Sequence, residues 1–454
     1  MPFRLCAAVW AGKTVAALSR MLGHRGSSLP GHVALRIYPG TLRALARRAK
    51  KGVILVTGTN GKTTTNNMIA QMLSDAGHSV IINREGANML PGIATAFVRS
   101  AGVNPAYSFD YAVLEVDEAS FPRVVEQVNP DVVVVTNFFR DQLDRYGELD
   151  QTISFIRDAL RKLPKTRLVL NGDDPLVAQL GRIGPETTYF GLAPHGRVLD
   201  TSGASREARF CPLCGTDLHY SFYHYSQLGL YECTGCGFER PEPAVQGWEA
   251  VSSVDETTCR VVLDGRDFRL NLPTQGFYNL YNALAALCAG SGLRLEPETM
   301  LKSLYHYKPE IGRLQHFRHR GRPLYLNLVK NPAGFNESLA ILLAARGSKD
   351  LYIAINDNAA DGRDISWLWD VDVELLAEPD LEINRFLCSG ERAAEMAVRL
   401  KYAGVSARKI GVEPRVQDAV GEMVCGGGDA AYLLATYTAL WPTEKALSTM
   451  SDGK

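Results

Sequence analysis

The chain has 454 residues, more than one compact hydrophobic core accommodates, so we expect two or three domains. Hydrophobic residues make up 46% and charged residues 22%, as in a soluble globular protein, and no apolar run approaches the ~18 residues that span a bilayer. Lys and Arg number 49, equal to Asp and Glu, which gives no electrostatic basis for a nucleic-acid partner. Cysteines outside one cluster stand among apolar neighbours, so the cytoplasm is the expected compartment.

Residues 1–50 are predicted to form an N-terminal helical segment. Lys13 and Arg20 interrupt the opening apolar stretch, which excludes the core of a signal peptide. Apolar residues there recur at helical spacing: Leu5, Val9, Val15, Leu18 and Leu22. We expect this helix to dock on the protein's own core, with a membrane surface as the alternative. A basic helical stretch, Thr41–Lys51, follows.

Val53–Thr65, with the sequence VILVTGTNGKTTT, combines an apolar strand, a glycine-rich turn and the start of a helix. Its glycines allow a tight turn whose N–H groups point at an anion. Lys62 supplies a positive charge for the outer phosphates of ATP, and the Thr63 hydroxyl is suited to Mg²⁺. Val56 replaces the glycine that opens the full P-loop pattern, which favours a specialised subfamily over a generic ATPase. A glycine-rich turn that binds nothing is the alternative.

Strands and helices alternate after this loop. The predicted strands are Val53–Val56, Ser79–Asn83, Tyr111–Val116, Asp131–Asn137 and Arg167–Asn171. The predicted helices between them run to Leu73 and over Gly92–Ser100, Phe121–Val128 and Ile153–Leu160. Strands without a polar face indicate a doubly wound α/β domain, whose ligand site lies at the carboxyl ends of its strands.

The alternation breaks over about Pro194–Pro243 and again over Tyr305–Arg322, which we interpret as a hinge. Between the breaks lie two predicted strands and a helical segment: Thr258–Leu263, Asp267–Leu272 and Gly276–Ala289. A smaller α/β unit follows, with predicted strands Leu324–Val329, Leu351–Asn356, Arg385–Ser389, Lys409–Gly411 and Asp429–Thr436. We predict a central nucleotide-binding domain over residues 51–312, with an insertion at about 205–243, and a C-terminal α/β domain over 313–454.

Four cysteines in the insertion form two CxxC pairs separated by eighteen residues: Cys211, Cys214, Cys233 and Cys236. Four thiolates satisfy tetrahedral Zn²⁺ and leave no open position, so the pattern indicates a structural zinc ribbon. A redox pair is the alternative for either CxxC alone.

Acidic residues stand at the carboxyl end of the predicted strand Tyr111–Val116. A carboxylate that faces the phosphate loop from this position is suited to the Mg²⁺ bound to ATP. Glu115 is the first candidate ligand beside Thr63, and Glu118 is the second. A solvated acidic loop is the alternative.

Four motifs together resemble the Mur ligase family: TGTNGKTT, TNxxxDxLDxxG from Thr136, LNGDDP from Leu170, and GxxNxxNALAA from Gly276. The resemblance implies a doubly wound central domain of the Mur ligase type and a C-terminal Rossmann-like α/β domain. It also implies amide-bond formation, in which ATP phosphorylates a carboxylate and an amine attacks the acyl phosphate. Lys62 and Glu115 take catalytic roles in this interpretation. The residues that it implies at the ATP site are Thr59, Asn60, Gly61, Lys62, Thr63, Thr64, Asn279 and Arg313.

Three departures from the family pattern narrow the resemblance to one branch. The family's UDP-binding N-terminal domain is reduced to about fifty residues, Gln142 replaces the histidine of TNxxxDHLD, and residues 328–332 lack the expected aspartate. With the zinc ribbon and the DGRD stretch from Asp361, these features resemble the synthetase subunit of lipid II isoglutaminyl synthase.

That branch implies ATP-dependent amidation of the α-carboxyl of D-glutamate in the lipid II stem peptide, with Mg²⁺ and a structural Zn²⁺. It implies action at the inner face of the cell membrane and ammonia from a class-I glutaminase of the GatD type, in a heterodimer. Asp364 would complete the Cys–His pair of the glutaminase as a catalytic triad. The residues alone favour a simpler role, in which Asp361 and Asp364 cap a helix near Ser366.

Two other functions stay open. One is a Mur-type or folylpolyglutamate-type ligase that adds an amino acid instead of ammonia. The other is a non-catalytic zinc-ribbon protein that binds a nucleotide and docks a partner.

Overall fold

The computed structural model describes residues 3–22, 26–83, 87–102, 107–140, 149–195, 208–252, 256–308, 314–378 and 380–451. Within these ranges, no helix has the length and apolarity needed to cross a membrane.

The helices are α1 (Phe3–Met21), α2 (Leu29–Ile37), α3 (Thr41–Ala46), α4 (Lys62–Asp75), α5 (Leu90–Ser100), α6 (Phe121–Val128), α7 (Leu149–Leu160), α8 (Pro175–Ala178), α9 (Phe277–Gly292), α10 (Pro297–Tyr305), α11 (Pro332–Ala344), α12 (Ala393–Tyr402), α13 (Val416–Val424) and α14 (Tyr437–Met450). Short 3₁₀ helices cover Gln179–Ile183, Ser366–Asp370, Val373–Ala377 and Ala407–Lys409.

The strands are β1 (Ala49–Thr57), β2 (Val80–Ile82), β3 (Phe109–Glu115), β4 (Val132–Val135), β5 (Arg167–Asn171), β6 (Thr187–Leu192), β7 (His219–Tyr225), β8 (Leu228–Glu232), β9 (Val245–Ser252), β10 (Thr257–Leu263), β11 (Arg266–Leu272), β12 (Gln315–His319), β13 (Arg322–Leu328), β14 (Lys349–Ala354), β15 (Ile383–Ser389), β16 (Ile410–Val412) and β17 (Ala430–Ala435).

The larger sheet has nine strands in the order β11-β10-β9-β6-β5-β4-β1-β3-β2. Strands β1 to β6 pair in parallel, and β9, β10 and β11 extend the sheet, the last two pairs being antiparallel. Successive residues of β1 enter two different cores: Ile54 and Val56 pack with α4 and α9, while Val53 and Leu55 pack with α5 and α6. The absence of a polar face on these strands therefore follows from helices on both sides, as predicted.

The smaller sheet has six strands in the order β12-β13-β17-β14-β15-β16. All its pairs are parallel except β12 with β13, and separate apolar clusters cover its two faces. The predicted α/β architecture of both sheets is confirmed. A two-stranded antiparallel sheet, β7-β8, belongs to the cysteine-bearing insertion.

One predicted helix is wrong in its extent, and one strand was missed in the segment interpreted as a hinge. The helix expected over Thr41–Lys51 ends at Ala46, and β1 already begins at Ala49, where it pairs with Phe109 of β3. Basic side chains suit a solvated strand end as well as a helix, so composition alone did not separate the two.

The segment Tyr305–Arg322, interpreted as a hinge, contains β12, the edge strand of the smaller sheet. Phe317 at its centre is buried while its chain neighbours point outward, which is the alternation of a strand with one covered face. Charge and histidine at the exposed positions concealed this pattern.

Candidate functional site

The phosphate loop, residues 58–61, connects the end of β1 to the first turn of α4. Gly58 and Gly61 have φ values of 119° and 83°, a region that favours glycine. A Cβ atom at Gly58 would lie 2.4 Å from the Thr136 hydroxyl oxygen, and one at Gly61 would lie 2.1 Å from the Asn282 amide oxygen. Conformation and space both require glycine here, and the turn leads directly into the N-terminus of α4, where a helix favours an anion.

Lys62 is buried at the first position of α4. Its ammonium donates to the carbonyl oxygens of Gly58 at 2.6 Å and Thr59 at 3.2 Å, and to the Glu118 carboxylate at 3.1 Å. Burial raises the pKa of Glu118, and the neighbouring Lys62 opposes that rise. Glu118, predicted as a second Mg²⁺ ligand, therefore contacts the P-loop lysine in this structure.

Thr63 and Glu115 lie together as predicted for a magnesium site. The Thr63 hydroxyl donates to the Glu115 carboxylate at 2.7 Å, and the Asn88 amide donates to the other carboxylate oxygen at 3.0 Å. The backbone N–H of Glu115 donates to the Asn83 side chain at 2.9 Å, which fixes the end of β3. The arrangement presents a hydroxyl and a carboxylate, the hard oxygen ligands that Mg²⁺ prefers. Their role in metal binding stays a prediction.

Amide side chains surround the rest of the loop. The Asn60 N–H donates to the Asn137 side-chain oxygen at 2.8 Å, and the Thr65 hydroxyl donates to Asn282 at 3.3 Å. Asn279, predicted as an ATP ligand, donates instead to the Gln275 carbonyl oxygen at 2.8 Å and is buried. Arg313 and Gln142 lie outside the described residues.

The C-terminal domain contacts the phosphate loop through the segment between β13 and α11. The Lys330 ammonium donates to the Thr59 carbonyl oxygen at 3.3 Å. Asn331, the N-cap of α11, donates its amide to the Asn60 side chain at 3.1 Å. Lys330 and Asn331 belong to the segment 328–332, which lacks the family's aspartate. Both therefore contact the phosphate loop from the C-terminal domain.

A cleft between the two domains opens beside Gly61 and Thr64. Its walls also include Tyr225, Tyr278 and Glu337. Burial raises the pKa of Glu337 to about 8, so the cleft holds a carboxyl group that is largely protonated at neutral pH. Aromatic rings and amide side chains beside the phosphate loop are suited to a nucleoside, because rings stack on a base and amides hydrogen-bond to the edge of the base. Sequence reasoning missed Lys330, Tyr225 and Glu337, because only the tertiary fold brings Lys330 to the loop and the other two to the cleft.

The four predicted zinc ligands converge. The sulfurs of Cys211 and Cys236 lie 3.6 Å apart, those of Cys214 and Cys233 lie 3.5 Å apart, and all four lie within 4.8 Å of one another. Zn–S bonds of about 2.3 Å in a tetrahedron place sulfurs about 3.8 Å apart, so the donor set fits Zn²⁺.

We expect Cys214→Ser to lower the zinc content of the purified protein from about one ion per chain to below about one tenth, because an alcohol is a weak zinc ligand. Cys214 is exposed, so its sulfur contributes little to packing. Cys425→Ser is the matched control, since Cys425 is also exposed and lies outside the cluster. Elemental analysis checks both variants, and a Cys214→Ser protein with a full zinc complement would contradict the assignment.

The hairpin β7-β8, which lies between the two CxxC pairs, contacts the central domain at the LNGDDP motif. Asp173 accepts hydrogen bonds from Arg240 and from the Tyr281 hydroxyl, each at 2.6 Å, and it is fully buried. The Gln227 amide donates to the Phe138 carbonyl oxygen at 2.6 Å, directly after β4. These contacts place Tyr225, at the end of β7, in the wall of the cleft between the two domains.

The two aspartates of the DGRD stretch have different surroundings. Asp361 is buried and accepts the N–H of Thr438 at 2.7 Å, which ties the loop to the start of α14. Asp364 is half-buried and accepts the N–H and hydroxyl of Ser366 at 2.8 and 2.9 Å. The N-cap of this 3₁₀ helix is Ile365, so Asp364 contacts its first residue from one position before the cap, as in an Asx-type turn. Its role in a partner's active site stays a prediction.

Comparison with known proteins identifies both halves of the chain. Residues 56–212 match the Mur ligase middle domain, and residues 328–440 match the MurT ligase C-terminal domain. The chain is 36% identical over 446 residues to the MurT subunit of lipid II isoglutaminyl synthase (glutamine-hydrolyzing) of Staphylococcus aureus strain N315, covering 98% of both chains. It is 35% identical to the corresponding subunit of Streptococcus pneumoniae strain R6, covering 92% of this chain and 91% of that one.

The fold also resembles solved structures of Mur-type ligases. A pseudomurein peptide ligase type C from Methanothermus fervidus gives a TM-score of 0.70 at 23% identity, over 89% of this chain and 80% of that chain. MurF from Thermotoga maritima, in complex with ADP, gives 0.65 at 14% identity, over 92% and 84%. The sequence identity and the two matched domains show that the chain belongs to the MurT family of Mur-type ligases.

Proposed function

We propose that this chain is the synthetase subunit that amidates the α-carboxyl of D-glutamate in the lipid II stem peptide, giving D-isoglutamine. The observation that carries the proposal is the 36% identity to a MurT subunit over 98% of both chains, which spans the phosphate loop and the C-terminal domain. The paired Thr63 and Glu115 beside Lys62 support it, because they supply the groups that phosphoryl transfer needs.

The proposed reaction has two steps. The substrate carboxylate attacks the γ-phosphorus of ATP, which breaks the bond to ADP and forms an acyl phosphate. Ammonia then attacks the acyl carbon, phosphate leaves, and the amide nitrogen loses a proton. Lys62 and the N-terminus of α4 stabilise the charge that develops on the phosphoryl oxygens, and Thr63 and Glu115 hold Mg²⁺.

Lys62 would change partners when ATP binds. In this structure its ammonium is satisfied by two loop carbonyl oxygens and by Glu118. Phosphate oxygens at the loop would compete for those donors, while Glu118 keeps the ammonium from moving away. Glu118 thus positions the lysine in the proposed mechanism, and Glu115 holds the metal.

The nucleoside of ATP would occupy the cleft lined by Tyr225, Tyr278 and Glu337. Both domains line this cleft, so ATP binding would also hold them together. Lys330 and Asn331 already contact the loop from the second domain.

Ammonia would come from a class-I glutaminase subunit bound to the C-terminal domain. The names of the relatives support this, since they describe a subunit of a glutamine-hydrolyzing enzyme. We place the reaction in the cytoplasm, at the inner face of the membrane that carries lipid II.

The test offers the purified chain ATP, Mg²⁺ and a short-prenyl, water-soluble analogue of lipid II, with either ammonium or a mixture of amino acids. We expect ADP, phosphate and an amidated stem peptide with ammonium alone, detected by mass spectrometry. Incorporation of an amino acid would support the folylpolyglutamate-type alternative. Nucleotide binding without phosphate release would support the non-catalytic alternative.

A further inference from the structure

The first acidic residue in the sequence is Asp75, although the whole chain has no net charge. The first 51 residues contain ten basic residues: Arg4, Lys13, Arg20, Arg25, Arg36, Arg43, Arg47, Arg48, Lys50 and Lys51. The compensating acidic residues therefore lie in the two sheet domains. The helical segment formed by α1, α2 and α3 carries a strong positive charge of its own.

Helix α1 is apolar on two opposite faces. Its inner face is buried and combines Leu5 and Val9 with small residues, and a Cβ at Gly12 would lie 2.7 Å from a methyl group of Val98 in α5. Its outer face exposes four large apolar side chains: Phe3 (87%), Trp10 (55%), Leu18 (54%) and Met21 (83%).

The outer face has basic flanks. At about 100° per residue, the four exposed apolar side chains project within a sector of about 80°. Lys13 and Arg20 lie on one side of that sector and Arg4 on the other. An apolar helix face is normally covered, and within the part of the chain that the structure describes the inner face of α1 is covered while the outer face is exposed.

The segment leads to the proposed active site. The N–H of Gly31, in the first turn of α2, donates to the Thr95 hydroxyl at 2.8 Å, and a Cβ at Gly31 would lie 2.0 Å from the Pro91 carbonyl oxygen. The first turn of α2 therefore lies against the first turn of α5. The residue just before α5 is Met89, next to Asn88, which donates to Glu115. Leu29, 54% exposed, thus lies on the same side of the molecule as the Glu115 end of β3.

We infer that the outer face of α1 docks on an anionic lipid bilayer, lying in the plane of the membrane surface. Exposed Trp and Phe flanked by Lys and Arg are suited to the interface between headgroups and acyl chains, and the positive segment complements anionic headgroups. A second protein could cover the apolar side chains, but it would not account for a segment without carboxylates. The identity of the substrate rests on the proposed function; the contact with lipid does not.

The test measures co-sedimentation of the full chain with vesicles that contain no lipid II. We expect binding to equimolar phosphatidylglycerol and phosphatidylcholine at least about tenfold tighter than to phosphatidylcholine alone, weakening with added salt. The double variant Trp10→Ser/Leu18→Ser should lose at least about tenfold of that binding. Trp369→Ser is the matched control, because Trp369 is equally exposed at 55% and belongs to the C-terminal domain.

Two results would overturn the inference: wild-type protein that stays in the supernatant with phosphatidylglycerol, or a double variant that binds as tightly as wild type. A third result would also overturn it: if the wild-type protein alone sediments as a dimer and the double variant as a monomer, a second copy of the chain covers this face.

Activity measurements with two forms of the substrate distinguish a failure of this inference from a failure of the proposed function. With lipid II in phosphatidylglycerol vesicles, the double variant should have a KM raised about tenfold at unchanged kcat. With the water-soluble analogue it should equal wild type. If wild type amidates neither substrate, the proposed function fails while the vesicle result still decides the lipid contact.

Discussion

Lys62→Ala is expected to lower kcat/KM for ATP by a factor on the order of 10³, as for the loss of a group that stabilises transition-state charge in a desolvated site. The structure gives the physical reason. The lysine side chain is only 9% exposed and its ammonium is held at the phosphate loop, so solvent cannot replace its charge. Phosphate release in the presence of ammonium and the soluble lipid II analogue measures the effect.

Removing Lys62 alone also leaves the Glu118 carboxylate buried without its cation, which destabilises a protein by about 3–5 kcal/mol for a typical buried pair. The double variant Lys62→Ala/Glu118→Gln removes both charges and separates folding from catalysis. Lys165→Ala, at an exposed lysine, is the matched control. A folded double variant with wild-type amidation would refute the proposed mechanism.

Asp364→Asn is expected to abolish amidation with glutamine as nitrogen source and to leave amidation with free ammonium unchanged. The assay uses the complex with the glutaminase subunit. A triad aspartate stabilises the imidazolium of its histidine, and an amide cannot, which costs about 10⁴ in rate in a well-studied triad. The side chain is half-buried, and its two oxygens accept hydrogen bonds from the N–H and the hydroxyl of Ser366. A carboxylate has about four acceptor sites, so it can also accept a hydrogen bond from a partner's histidine.

The simpler interpretation predicts a different result. If Asp364 only caps the 3₁₀ helix, asparagine still accepts the Ser366 N–H, and both activities should persist. If both activities fall together, Asp364 is structural. Asp380→Asn, at an exposed position near the same loop in the sequence, controls for charge, and Asp361 is unsuitable because it is buried against Thr438.

The sequence predicted the parts of the fold that depend on local pattern. Runs such as Val132–Val135 have no polar face, which only a sheet covered on both sides requires, and that sheet is present. The sequence predicted the position of the candidate site in the same way, because motifs at the carboxyl ends of parallel strands meet at one edge of the sheet. Thr63 and Glu115 are therefore in contact although they are 52 positions apart.

The rest of the site depends on tertiary packing, which the local pattern does not record. Strands β6 and β9 carry mixed polar and apolar residues although they lie inside the sheet, and their sequences did not predict strands. Lys330 contacts the loop and Glu337 lines the cleft beside it, because α11 begins at the boundary between the domains. Sequence spacing does not predict that Tyr225 and Gly61 line the same cleft, because Tyr225 reaches it only after the ribbon packs against Asp173.

Because Tyr225 lines the cleft, the zinc ribbon is not a structurally separate unit. Although residues at about 205–243 are an insertion by sequence, excising them would open one wall of the cleft and remove Arg240 from Asp173. The ribbon is thus an integral part of the catalytic domain and cannot be transplanted or deleted as a cassette. Because four cysteines hold the hairpin that carries Tyr225, zinc supply and nucleotide affinity become linked variables in the proposed enzyme.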